Sequence, residues 1–98
     1  KIQEAALVTE RQEIDMKISK FRFHLEHQGH ILEYLEKELR PLVDEQSELN
    51  FQAYLEGEIG YLEYLDSLEQ VIEVKQEYLS ALHEFNALQV ELDYWLGK

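Results

Sequence analysis

The chain has 98 residues, 21 Asp and Glu against nine Lys and Arg, a net charge of −12 and no cysteine. That balance excludes the clustered cations on which nucleic-acid binding depends, and it disfavours docking on anionic lipid. Without cysteine there is neither a disulfide framework nor a thiolate metal site, a composition that suits a reducing cytosol and a periplasm equally. No apolar run approaches the eighteen or so residues that a spanning helix needs, and no secretory signal opens the sequence. The expectation is therefore a whole cytosolic protein or a piece of something larger.

In chain order, the first predicted element is a long helix over about residues 2–55. Apolar residues recur at 3–4 spacing through Ile14, Ile18, Phe21, Leu25, Gln28, Leu32, Leu35, Leu39, Leu42, Gln46, Leu49 and Ala53. Two glutamines alone interrupt this seam, which is of coiled-coil type. Ile2, Ala5, Ala6, Leu7 and Val8 continue it weakly upstream, and Glu and Lys fill the intervening positions as a solvated face requires. Pro41 is discordant, because a proline inside a helix loses one hydrogen bond and clashes with the carbonyl four residues back, at about 3 kcal/mol. Since the seam runs from Leu39 to Leu42 to Leu49 in phase, the expectation is a kink near Pro41 rather than a helix end; the alternative places Pro41 in the first turn of a separate helix. Gly29 is a second soft spot.

Gly57-Glu58-Ile59-Gly60 breaks the pattern. It is predicted as the turn, about residues 56–60, of an antiparallel hairpin, with Gly57 in the left-handed conformation and Gly60 as N-cap of the next helix. The second helix is predicted over 61–96, with Gly97 as its stop. It carries two overlapping stripes. One is Tyr61, Leu65, Leu68, Ile72, Leu79, Leu82; the other is Tyr64, Leu68, Val71, Tyr78, Leu82, Phe85, Leu92, Leu96. A helix with one partner needs one stripe, so this width predicts at least two neighbours. Pairing residues at equal distance from the turn sets Lys98 near Lys20, and leaves earlier residues without an intrachain partner. The fold class is thus all-α: one long antiparallel helical hairpin spanning residues 1–98, incomplete by itself.

Candidate chemistry is sparse. Glu63 falls in the first turn of the second helix, where the helix dipole favours an acid; Asp66 lies a turn further on and gains less. Repeated by symmetry around a pore, such acids would select cations. His24, His27 and His30 invite a metal-site reading, but successive three-residue steps drift around the helix, so a solvated histidine face is favoured over a metal site. The tyrosines, phenylalanines and Trp95 at helical spacing read as packing residues. No nucleophile triad, phosphate loop or zinc motif is present, and the many carboxylates sit on solvated helices. No catalytic residue, metal ligand or cofactor is predicted.

Arg40-Pro41, then Tyr54-Leu55-Glu56-Gly57, then Leu65-Asp66-Ser67 stand in an order that resembles the TolC-like outer-membrane factor family. Tyr78-Leu79-Ser80-Ala81-Leu82, Phe85-Asn86, Leu92 and Leu96-Gly97 extend the resemblance from Pro41 to Gly97. The wording from Gly57 to Leu65 is most similar to segments of heavy-metal efflux systems of the resistance-nodulation-division class. The resemblance implies the periplasmic helical hairpin of an efflux channel in a Gram-negative cell envelope. Tyr54, Gly57, Glu58, Ile59, Gly60 and Tyr61 would then form the tip that meets a periplasmic adaptor. Glu63 and Asp66 would be the acidic constriction. The implied partners are a homotrimer of the full-length protein, the adaptor and an inner-membrane pump; the fragment alone is expected to form a dimer or helical bundle. Glu63 stands where Asp is common in the family, Ser67 replaces a small alanine, and residues 1–40 match only as generic helix. The competing expectation is a cytosolic acidic coiled-coil interaction module; a weaker one is a helical metal-binding protein.

Overall fold

The structure is a computed structural model that describes the backbone of residues 2–98 and the side chains of residues 9–98. The weak upstream seam through Ile2, Ala5, Ala6, Leu7 and Val8 therefore lies outside the described side chains. Among the described residues there is helix and no strand: α1 (Ile2–Tyr34), a π-helical turn (Leu35–Leu39), α2 (Arg40–Leu55) and α3 (Tyr61–Leu96). The outer bounds are those that the apolar spacing predicts. The fold is an all-α helical hairpin, and no described helix is long and apolar enough to cross a membrane.

Pro41 does not end the first arm. Tyr34, Leu39 and Arg40 all keep right-handed helical dihedrals, and the Arg40 N–H reaches back five residues to the Leu35 carbonyl. A five-residue ring takes up one more residue than an α turn does. Everything beyond it is therefore displaced by one position, about 100° of helix rotation. This corrects the seam. Leu25, Gln28, Leu32, Leu35 and Leu39 face inward as the spacing predicts, but Leu42 and Leu49 are 53% and 62% exposed. Val43, Ser47, Asn50 and Tyr54 take the inner positions in their place. The steps 32–35–39–43 follow an eleven-residue rather than a seven-residue rhythm.

The chain falls into two compact units, each pairing segments of the two arms. In the unit of His30–Leu82, Leu35, Ser67 and Ala81 are buried, and the Asn50 amide donates a 3.0 Å hydrogen bond to the Ser67 hydroxyl across the helix pair. In the unit of Lys1–Gly29 with His83–Lys98, Leu92 and Gln28 are buried and the Lys17 ammonium lies 4.4 Å from the centroid of the Trp95 ring. Trp95 thus meets Lys17 rather than the residues near Arg22 that equal distance from the turn would set opposite it. Glu10, Glu13 and Ile14 line the same groove, so residues before Lys20 do have an intrachain neighbour. The extra residue spent in the π turn accounts for one position of that offset.

The second stripe of α3, from Tyr64 to Leu96, is buried or half-buried throughout, whereas Tyr61, Ile72 and Leu79 of the first stripe are exposed. The expectation of further neighbours accordingly rests on surface that the pair cannot cover.

Gly29 is the one helical glycine at a close approach. A Cβ there would meet the Phe85 ring at 3.4 Å, which is ordinary contact. Gly29→Ala should raise stability by up to about 1 kcal/mol through helix propensity, seen as a higher midpoint in thermal melts followed by circular dichroism. A lower midpoint would mean that the two helices admit no methyl group at this level.

Candidate functional site at the hairpin turn

Closure of the turn is a matter of backbone chemistry. Gly57 has φ +79°, a conformation in which a side chain costs roughly 1–2 kcal/mol. With the chain so bent, the Glu58 N–H bonds to the Ala53 carbonyl at 2.9 Å and the Gly57 N–H to the Tyr54 carbonyl at 3.1 Å. These are the paired 6→1 and 5→2 bonds of a glycine-capped helix end, and they satisfy carbonyls that α2 would otherwise leave open. Gly97 ends α3 in the same way, with φ +77° and bonds from Gly97 to Tyr94 and from Lys98 to Asp93. Gly60 differs. Its carbonyl accepts the first bond of α3 from the Tyr64 N–H at 3.1 Å, as an N-cap does, but its φ is not positive and a Cβ would meet nothing within 4 Å.

Aromatic rings bind the two arms just below the turn. Tyr54 stacks on Tyr64 with centroids 5.1 Å apart and planes 11° from parallel, and Tyr61 lies 6.0 Å from Tyr54. Phe51 also packs against Tyr64, with centroids 5.6 Å apart and planes tilted by 45°. Offset ring pairs of this kind contribute about 0.5–1.5 kcal/mol each beyond their buried area. Tyr54 and Tyr61 thus belong to a four-ring cluster with Phe51 and Tyr64. The clue lies in the sequence: Phe51 and Tyr54 precede the turn at a three-residue step, and Tyr61 and Tyr64 follow it at the same step.

Of the other tip residues, Ile59 is half-buried and Glu58 is exposed. Glu63 lies in the first turn of α3 and Asp66 one turn further; both are exposed. At 100° per residue the two sit about 60° apart on one side of the helix. Neither is in an ion pair or a side-chain hydrogen bond among the described residues. The charge around them is one-signed. Residues 41–74 hold nine acids and not one Lys, Arg or His. His24, His27 and His30 are exposed on α1, with His24 edge-on to Phe23 at 5.8 Å, and no three His, Cys, Asp or Glu among the described residues come together as a metal site.

In comparisons with known proteins the chain matches no protein-family model, no curated protein and no solved structure.

The two glycines of the turn should respond differently to substitution. Gly57→Ala should cost about 1 kcal/mol or more, whereas Gly60→Ser should be neutral or stabilising by a few tenths, since Ser is the better N-cap. Urea unfolding of both variants checks this, and equal losses would contradict the distinction.

Proposed function

We propose that this chain is the periplasmic helical hairpin of a TolC-like outer-membrane efflux channel, in a tripartite system that exports metal cations. The observation that carries the reading is the turn. A glycine-closed tip stands where the Tyr-x-x-Gly motif calls for one, at the centre of a 34-residue stretch without a cation. Exposed apolar residues on both arms support side-by-side packing with further hairpins, as in a homotrimer of the full-length protein. The role is one of conduction and assembly, without catalysis or a resident cofactor.

Glu63 and Asp66 serve in this reading as the acidic constriction. Their exposure on one side of α3 leaves them available to attract cations, and repetition around a symmetry axis multiplies the field at the entrance. The same one-signed charge suits an adaptor that offers Lys or Arg to the tip formed by Tyr54, Gly57, Glu58, Ile59, Gly60 and Tyr61. The inner-membrane pump of the resistance-nodulation-division class then supplies the cargo. Removed from that assembly, the hairpin covers its apolar flanks by forming a dimer or bundle.

In the full-length protein, Glu63→Gln with Asp66→Asn should lower cation-over-anion selectivity roughly two- to tenfold. Single-channel recording in planar bilayers reads this directly. Unchanged conductance and selectivity would remove the constriction. The coding sequence on either side of this segment tests the channel itself: β-strands and a second similar hairpin support it, and an immediate start and stop would sink it in favour of an acidic coiled-coil module.

A further inference from the structure

The helix α2 carries two faces, either of which could pack on α3. One continues the heptad seam of α1 and consists of Leu42, Gln46 and Leu49; the other consists of Val43, Ser47 and Asn50. They differ by one residue in number and by about 100° around the axis. On hydrophobicity alone the leucine face should win, since it removes more apolar surface from water. The structure has the opposite arrangement. Leu42 and Leu49 are exposed, and Asn50 faces α3 closely enough to bond Ser67 at 3.0 Å.

What decides between the faces lies just upstream. The π turn Leu35–Leu39 is closed by the bond from the Arg40 N–H to the Leu35 carbonyl, and Pro41 follows at once, in the first turn of α2. A proline at position 41 has no N–H to give to the Lys37 carbonyl, and in a regular α-helix its ring would press on that carbonyl. A widened turn is a recognised way for a helix to absorb such a conflict, and it does so by taking in one residue. One residue is the displacement needed to exchange the leucine face for the Asn50 face.

We propose that Pro41 sets the rotational phase of α2, holding Asn50 against Ser67 and keeping Leu42 and Leu49 outside the helix pair. The pair thereby keeps a partly polar contact that a half-buried hydrogen bond holds in register. This does not depend on the channel reading, since it concerns only residues 35–67 of this chain.

The absence of cysteine allows a direct test on the 98-residue chain. Single variants V43C and L49C, with Asn50 and Ser67 intact, are labelled with a maleimide. With Pro41 present, L49C should react roughly tenfold faster than V43C. In the P41A background the π turn should relax to α, and the order should reverse. Deleting Glu38 from P41A removes one residue from the arm and should restore the first order. Oxidative cross-linking gives a second reading: N50C with S67C should couple with Pro41 present, and L49C with S67C in P41A. Circular dichroism checks that each variant remains helical, which P41A favours. If the helical P41A chain keeps L49C as the faster site and N50C as the partner of S67C, Pro41 does not set the phase and the proposal falls.

Discussion

Two α-helices side by side meet along a single line, and that constraint governs the rest of this molecule. A line of contact covers one narrow stripe on each helix. Both arms carry more apolar surface than that, so burial stays shallow: among the described residues only Leu35, Ala81 and Leu92 form a buried apolar set, each still 6–7% exposed. Hydrophobic burial is the main favourable term in folding, and the conformational entropy of ordering the chain is of similar size. The pair therefore leans on local devices. Glycine-closed helix ends at Gly57 and Gly97, each ring pair below the turn and the Asn50–Ser67 bond each add on the order of one kcal/mol to a thin contact.

These devices are graded along the hairpin. Near the turn the contact is aromatic, with Phe51, Tyr54, Tyr61 and Tyr64 in mutual reach. Further along the same unit it becomes small and polar at Asn50, Ser67 and Ala81. Small residues let helices approach closely and gain little from burial. A hydrogen bond between such residues fixes register where shape alone would tolerate sliding. The exposed Leu42 and Leu49 lie beside this polar stretch, so α2 keeps apolar surface outside the pair next to a contact that gains little from burial.

Helix type, helix ends and the turn were legible because each has a local cause. A 3–4 spacing, a glycine three residues before another and a terminal Leu-Gly are read without knowledge of the partner. The phase of α2 was not legible. Leu39, Leu42 and Leu49 continue the heptad so regularly that Pro41 reads as a local disturbance, while the π turn placed before it acts on every residue that follows. Spacing arguments assume a constant 3.6 residues per turn, and one five-residue ring breaks that assumption without leaving a mark in composition. The offset between Trp95 and Lys17 was hidden for a related reason, since counting back from the turn presumes equal rise in both arms. At the tip, the residues with chemistry were visible as types, but the pairing of Phe51 with Tyr64 needed both arms in place.

The acids of the tip separate what the fold requires from what it merely permits. Residues 41–74 carry nine carboxylates and no cation, so their mutual repulsion is relieved only by salt screening, a cost that folding alone does nothing to recover. Glu63 gains from the helix dipole, but Asp66 is beyond the first turn and gains far less, and neither has a partner that would fix its side chain. Residues that no local rule demands, held together against their own repulsion on an exposed side of a helix, are where function is to be sought. The field they create attracts positive charge and repels negative charge. Apolar flanks stay open on the sides of this hairpin, and the charge around its turn is of one sign.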